Sequence, residues 1–231
     1  MKKYQDIQIR VLQCNLDLKK YGLAFFTFGN ASAIDRQQGI VAIKPSGVSY
    51  EVLKPEDIVI LDVEGKVIEG KLKPSSDTKT HLVLYHHFPD IGGVVHTHST
   101  YAVAWAQAGK SIPVLGTTHA DYAHVNIPCT DFLSETQIKG DYETETGNQI
   151  VKCFQNLSYQ EVEMVLVAGH GPFTWGKTAE QAVHHSVILE ELAKLAYLTQ
   201  QINPRQKRLS RALIAKHFQR KHGSQAYYGQ F

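Results

Sequence analysis

The sequence has few cysteines, no long apolar run and almost no net charge. Its three cysteines, Cys14, Cys129 and Cys153, are odd in number and lack the spacing of a metal site, which favours reduced thiols in a cytoplasmic protein. No stretch approaches the roughly 18 apolar residues needed to span a bilayer. The two lysines near the start are not followed by the apolar region of a signal peptide. A net charge of +2 indicates neither nucleic acid nor a membrane as a partner.

The 231 residues are enough for one large domain, and no linker divides them, so we predict a single domain over residues 1–231. Short apolar runs bounded by turn residues predict strands at 24–28, 39–43, 58–62, 92–96 and 164–167. Apolar spacing and capping residues predict helices at 4–20, 78–88, 99–109, 144–156, 179–201 and from Pro204 to 222. The interleaving predicts an α/β fold in which helices cover both faces of a mixed sheet.

The most informative histidines of the twelve form the segment His96-Thr97-His98, at the end of an apolar strand. In an extended chain, residues i and i+2 point to the same side, so the two imidazoles face one point in space. A second apolar strand leads into Gly169-His170-Gly171, and strand ends often carry active-site groups. Three histidines with a carboxylate or water would suit a catalytic zinc ion. Local hydrogen bonding of each histidine is the alternative.

The other histidines give weaker signals. His86-His87 and His184-His185 are adjacent on predicted helices, where neighbours point about 100° apart and do not easily share a metal. We expect these four and His81 to be surface or packing residues.

Two segments contain the parts of a phosphate site. Lys44-Pro45-Ser46-Gly47 follows a strand, and Lys73-Pro74-Ser75-Ser76-Asp77 precedes a helix. Hydroxyls, a lysine and the N–H groups of a helix start all favour phosphate. Neither segment has the pattern of a P-loop, and each alone is typical of a plain turn. The basic stretch from Arg205 to Lys221 is expected to be a solvated face, with an anion site or a subunit contact as the alternative.

Taken in order, these and other segments resemble the L-ribulose-5-phosphate 4-epimerases of the class II aldolase superfamily. The matching segments span nearly the whole chain and are Gly29-Asn30-Ala31-Ser32, Lys44-Pro45-Ser46-Gly47, Pro74-Ser75-Ser76-Asp77, His96-Thr97-His98, Gly116-Thr117-Thr118-His119-Ala120-Asp121-Tyr122, His170-Gly171-Pro172-Phe173 and Tyr227-Tyr228-Gly229-Gln230.

The resemblance implies a three-layer α/β/α fold around a largely antiparallel sheet. It also implies a cyclic homotetramer with active sites between neighbouring subunits. One divalent metal per subunit, expected to be Zn²⁺, would be held by His96, His98 and His170, with Asp77 as the carboxylate at the metal.

The resemblance also assigns the remaining site residues. The phosphate of the substrate would be held by Asn30, Lys44, Ser46, Gly47, Ser75 and Ser76. Asp121 and Tyr228, reaching across from the neighbouring subunit, would carry protons on the two faces of the substrate. Thr117, Glu143, His217 and Arg220 match further site positions in the family.

The implied reaction interconverts L-ribulose 5-phosphate and D-xylulose 5-phosphate by retro-aldol cleavage and re-addition at C3–C4. The related aldolases carry glutamate where this chain has Asp77, and this difference favours an epimerase. The alternatives are a class II sugar-phosphate aldolase that releases its fragments and a non-catalytic protein that binds a metal or a sugar phosphate.

Overall fold

The computed structural model describes residues 3–223 and 226–227, and the statements that follow concern these residues. The helices are α1 (Gln5–Lys20), α2 (Thr78–His87), α3 (Thr100–Gln107), α4 (Thr117–Ala120), α5 (Glu135–Lys139), α6 (Tyr142–Cys153), α7 (Ala179–Ile202) and α8 (Arg211–His222), with a 3₁₀ turn at Pro55–Asp57. The strands are β1 (Asn30–Asp35), β2 (Ile40–Ile43), β3 (Val59–Asp62), β4 (Val67–Glu69), β5 (Gly93–His96), β6 (Met164–Val167) and β7 (Gly171–Gly176). None of these helices is both long and apolar enough to cross a membrane.

The strands form one sheet in the order β4-β3-β2-β1-β5-β7-β6. Every pairing between neighbouring strands in this described sheet is antiparallel. The expected largely antiparallel sheet is therefore confirmed. The parallel pairing that a mixed sheet requires is limited, among the described residues, to an isolated bridge between Cys129 and Leu166.

Helices cover both faces of the sheet because its strands alternate apolar residues between two cores. Ala31, Ala33 and Val95 pack against α1 and the first half of α7. Val94 and Trp175 point the other way and pack in a core that includes residues of α2 and α6. This arrangement confirms the three-layer fold, and it leaves the polar residues of β1 on the same face as α2.

The structure corrects several predicted elements. Residues 24–28 form a turn instead of a strand, and Phe26 has a φ of 52°. Strands β1, β4 and β7 were not predicted, because their turn-prone residues outweighed short apolar patterns. Pro172 and the glycines at both ends of β7 made that segment look like a loop, yet β7 is an internal strand. The last predicted helix begins at Arg211 instead of directly after Pro204.

Asn15 of α1 holds the helix to the start of β1. Its side chain is fully buried, donates to the carbonyl oxygens of Val11 (2.7 Å) and Ala31 (3.1 Å), and accepts from the Ala31 N–H (2.9 Å). Ala31 follows Asn30, which lines the pocket described below, so this contact also positions the site.

We expect Asn15→Ala to lower the free energy of unfolding by roughly 2–3 kcal/mol, because it leaves buried backbone groups unsatisfied. Urea denaturation monitored by circular dichroism measures the change. Gln13→Ala is the matched control on an exposed position of the same helix, and its effect should stay within about 0.5 kcal/mol. Equal losses for the two variants would contradict the role of Asn15.

Candidate active site

Three histidines from two strand ends meet at one point. His96 is the last residue of β5, His98 lies two residues further, and His170 sits in the turn between β6 and β7. Their ring centroids are 4.8 Å (His96–His98), 4.6 Å (His96–His170) and 5.5 Å (His98–His170) apart. One nitrogen from each ring lies within 4.8 Å of the others. The three side chains are therefore arranged to share one cation.

All three histidines are held neutral. Burial lowers the pKa of His96 to about 3, and burial also lowers the pKa values of His98 and His170. His96 Nδ1 donates to the carbonyl oxygen of Pro172 at 3.0 Å, so the lone pair of this ring is on Nε2. Nε2 is buried and has no hydrogen-bond partner among the described residues. A buried, unpaired lone pair beside two other neutral imidazoles fits a divalent metal with histidine ligands.

Gly171 allows the two histidine segments to approach each other. A Cβ atom at this position would lie 3.0 Å from the Thr97 carbonyl oxygen and 3.4 Å from His96 Cε1. A larger residue would therefore push the His170 turn away from β5.

Asp77 occupies the N-cap position of α2, but its side chain makes no capping hydrogen bond. Instead, its carboxylate accepts from Asn30 Nδ2 at 2.6 Å. Burial acts to raise the pKa of Asp77, but its electrostatic interactions with the neighbouring His96 and His81 rings and the Asn30 hydrogen bond hold that pKa below its usual value. Asp77 is thus an ionised carboxylate beside the histidines, although it does not belong to the group of ligand atoms that lie within 4.8 Å of one another.

A pocket of about 310 Å³ opens next to the histidines. It brings together the ten residues that the sequence assigned to the metal and the phosphate, which are Asn30, Lys44, Ser46, Gly47, Ser75, Ser76, Asp77, His96, His98 and His170. Thr27 and Phe28 also line it and were not predicted. The apolar run 24–28 predicts a strand and gives no signal that its last residues line a pocket, although the Phe28 ring lies 5.5 Å from the His98 ring.

Lys44 places a buried cation in this pocket. Its side chain is 1% exposed, and its Nζ donates only long hydrogen bonds, to the carbonyl oxygens of Thr27 (3.3 Å) and Pro45 (3.4 Å). No carboxylate of the described residues forms an ion pair with it. Burial lowers the pKa of Lys44 to about 8. A buried ammonium without an anion is the complement of a ligand that carries negative charge.

Asp121 belongs to a second cluster, which does not line this pocket. Its carboxylate accepts two hydrogen bonds from Arg220 (3.0 and 2.8 Å) and one from His217 (2.9 Å). Burial acts to raise its pKa, but Arg220 and His217 hold the pKa below the usual value. Thr117 is in the same cluster, because its carbonyl oxygen accepts from the Asp121 N–H at 2.9 Å.

The remaining predicted positions lie elsewhere. Glu143 is in the first turn of α6, where its carbonyl oxygen accepts from Thr80 at 2.7 Å. Tyr142, which was not predicted, places its hydroxyl 3.4 Å from His170 Nδ1. Its position next to Glu143 was the only sequence signal that pointed to it. Tyr228 lies outside the described residues.

Comparison with known proteins assigns the chain to a family. Residues 9–197 match the sequence profile described as "Class II Aldolase and Adducin N-terminal domain". The chain belongs to this class II aldolase family. Over 226 residues it is 53% identical to L-ribulose-5-phosphate 4-epimerase UlaF of Salmonella paratyphi B (strain ATCC BAA-1250 / SPB7), which covers 98% of this chain and 99% of that protein.

Solved structures of other proteins share the fold. An L-fuculose 1-phosphate aldolase superposes with a TM-score of 0.76 at 24% identity, covering 91% of this chain and 95% of that chain. The L-fuculose 1-phosphate aldolase from Glaciozyma antarctica PI12 gives a TM-score of 0.77 at 17% identity, covering 97% and 84%. These similarities confirm the class II aldolase fold expected from the sequence.

Proposed function

We propose that this protein is a metal-dependent epimerase that interconverts L-ribulose 5-phosphate and D-xylulose 5-phosphate. The observation that carries the proposal is one pocket in which three neutral imidazoles converge beside a buried lysine that forms no ion pair with a described carboxylate. A ketopentose phosphate has the matching groups, a polarisable ketone and a phosphate. The 53% identity to an L-ribulose-5-phosphate 4-epimerase over nearly the whole chain supports this substrate.

His96, His98 and His170 would hold the metal, for which we propose Zn²⁺ because neutral imidazoles are its preferred nitrogen ligands. When bound, the cation supplies Lewis-acid chemistry that stabilises negative charge on the substrate's ketone oxygen. The Pro172 carbonyl fixes the tautomer of His96, so the Nε2 lone pair would be available to hold the cation.

The phosphate would bind between Lys44 and the start of α2. The Lys44 ammonium supplies the charge, and the Ser75 and Ser76 segment supplies hydroxyls and backbone N–H groups at a helix N-terminus. Ser46, Gly47 and Asn30 complete the lining. Because the phosphate is anchored, the aldehyde fragment can rotate after C3–C4 cleavage and present the opposite face of its carbonyl for re-addition without leaving the pocket.

Asp77 would stay ionised throughout. Asn30 restrains its carboxylate at 2.6 Å, and its pKa lies below the usual value. A short, clamped carboxylate is poorly suited to pass protons to a substrate carbon, whereas the longer glutamate of the related aldolases reaches further. We therefore assign proton transfer to other residues and favour epimerisation over net cleavage.

The two proton carriers would be Asp121 and Tyr228. Asp121 does not line the pocket of its own chain, so it serves this chemistry only if it reaches the pocket of a neighbouring subunit. We propose a homotetramer in which it does so. Arg220 and His217 orient the Asp121 carboxylate and keep it in the ionised form that can accept a proton, although the same contacts lower its basicity. Thr117 and Glu143 are proposed to line the same intersubunit site.

The proposal also covers the domain organisation and the cellular location of the protein. Residues 1–231 would form one domain, since both apolar cores pack on the two faces of the same sheet. The protein would act in the cytoplasm, because a doubly charged sugar phosphate does not cross a membrane unaided.

The reaction is tested by incubating the zinc-loaded protein with L-ribulose 5-phosphate and following the sugars by ¹³C NMR. We expect D-xylulose 5-phosphate to appear without accumulation of free dihydroxyacetone or glycolaldehyde phosphate. Stoichiometric cleavage products would instead identify an aldolase. Metal binding without any turnover of this sugar would indicate a binding protein.

Lys44 should make substrate binding depend on pH. Since its pKa is about 8 in the free protein, the binding-competent ammonium is lost as the pH rises through 8. The substrate phosphate, with a second pKa of about 6, keeps its charge in this range. We expect KM to rise roughly tenfold per pH unit above pH 8.5. In Lys44→Gln, KM should be high and nearly independent of pH from 7 to 9.5, and a parallel pH dependence in both proteins would contradict the role of Lys44.

A further inference from the structure

Tyr50 is a buried tyrosine behind the phosphate end of the pocket. It follows the Lys44-Pro45-Ser46-Gly47 segment by three residues and does not itself line the pocket. Its side chain is 2% exposed and belongs to the apolar core that also contains residues of α1. A buried tyrosine needs a partner for its hydroxyl, so the contacts of this group show which part of the chain it holds.

The Tyr50 hydroxyl holds the turn that leads into β1. Its Oη donates to the carbonyl oxygens of Phe28 (2.9 Å) and Gly29 (2.8 Å). The direction of donation follows from the chemistry, because a carbonyl oxygen can only accept. Burial also raises the pKa of Tyr50, so the hydroxyl keeps its proton. One proton is thus shared between two successive carbonyl groups, and the orientation of both peptide units is fixed.

The opposite side of this turn rests against the end of β5. Gly29 has a φ of 80°, and a Cβ atom there would lie 3.0 Å from the carbonyl oxygen of His96 and 3.6 Å from Tyr50 Oη. The turn is therefore held between Tyr50 and the strand that carries His96, with little space for a side chain at Gly29.

The ring of Tyr50 contacts the ammonium of Lys44. Lys44 Nζ lies over this ring, 4.8 Å from its centroid, which is a cation–π distance. The same ammonium donates to the carbonyl oxygen of Thr27, which immediately precedes Phe28. Tyr50 therefore acts on Lys44 directly through its ring and indirectly through the turn that carries the Thr27 carbonyl group.

These contacts hold the ammonium in place without neutralising it. The ring face and the carbonyl oxygens of Thr27 and Pro45, at 3.3 and 3.4 Å, are uncharged partners. A cation that is already fixed in position loses little conformational freedom when an anion binds, and this raises affinity for the anion.

We propose that Tyr50 is a positioning residue that acts through Lys44: its hydroxyl fixes the Thr27–Gly29 turn, and the turn and the tyrosine ring together hold the ammonium where it meets the phosphate. The inference rests on the proposed function, because the position of Lys44 matters only if the pocket binds a phosphate group.

The test is a double-mutant cycle on phosphate binding. Tyr50→Phe removes the hydroxyl and keeps the ring. We expect it to raise the Kd of the zinc-loaded protein for inorganic phosphate by about 5- to 10-fold, the effect of losing one hydrogen bond on an equilibrium. In a Lys44→Gln background, the same substitution should change this Kd by less than about twofold, because its effect passes through Lys44. Isothermal titration calorimetry at constant ionic strength measures each Kd, and equal fold changes in the two backgrounds would overturn the proposal.

Tyr159→Phe is the matched control. It also removes a tyrosine hydroxyl that donates a hydrogen bond, here to Asp90 at 2.8 Å, but Tyr159 lies away from the pocket and stacks on Phe88. Its Kd for phosphate should equal that of the native protein. The zinc content of Tyr50→Phe should also stay native, because the hydroxyl acts on the anion end of the pocket. An equal rise in Kd for Tyr159→Phe would show general damage and overturn the proposal.

A measurement on the native protein keeps the proposal testable if Tyr50→Phe does not fold. Because the ammonium lies over the ring, phosphate binding should shift the ring signals of Tyr50 in ¹³C-tyrosine spectra, and Lys44→Gln should abolish this shift. Ring signals of Tyr50 that stay unchanged at saturating phosphate would overturn the proposal, as would a native protein that binds no phosphate. Phosphate binding without epimerisation would reject only the proposed function.

Discussion

Replacing His96 by asparagine is expected to remove the bound metal and to lower kcat/KM by at least about 10³-fold. The Nε2 of His96 is the most buried of the three convergent nitrogens and has no partner among the described residues. Deleting a single oxyanion-hole donor lowers kcat by roughly 10²–10³-fold. Loss of a whole cation removes a stronger stabilising interaction, so its effect should be larger. Elemental analysis of the purified protein and steady-state kinetics measure the two effects.

Two comparisons make this result specific. His86→Asn changes an exposed histidine of α2 and should leave both metal content and kcat/KM unchanged. Removing the metal from the native protein with a chelator should reproduce the loss, and Zn²⁺, Mn²⁺ or Co²⁺ should restore part of the activity. Full activity in metal-free protein would refute the site.

Mixed oligomers of two inactive variants are expected to regain activity. Asp121→Asn should retain its metal but lose roughly 10²–10⁴ in kcat, the usual contribution of a proton carrier. His96→Asn subunits lack the metal but keep Asp121. If Asp121 serves a neighbour's pocket, random mixing of the two variants creates complete sites at about one quarter of the interfaces. Co-expression with two affinity tags isolates the mixed oligomers, whose kcat per subunit gives the result.

The double variant His96→Asn/Asp121→Asn provides the control. Mixed with Asp121→Asn subunits, it contributes neither an intact metal site nor an intact carboxylate, so no activity should return. Mixed oligomers of the two single variants that stay inactive would show that Asp121 does not act across an interface. The buried hydrogen bonds with Arg220 and His217 would then serve only to dock α8.

The pocket residues were predictable because each of their segments has a local signature. The alternation of an apolar strand puts His96 and His98 on one side. The lysine and hydroxyl groups around Lys44 and Ser75 have the composition of an anion site. Prediction failed where local composition misleads, as at β7, whose proline and glycines are tolerated because its neighbours β5 and β6 complete the sheet.

The sequence by itself predicted the histidines that we propose as metal ligands, their approach from strand ends and the resemblance that indicates the chemistry. Only the tertiary structure decided which groups meet. Asp121 pairs with Arg220, 99 positions away, and Ser32 meets His81, 49 positions away. The physical reason is that backbone periodicity dictates the direction in which a side chain points. The residues that a side chain contacts depend instead on strand pairing and helix packing, which bring distant parts of the chain together.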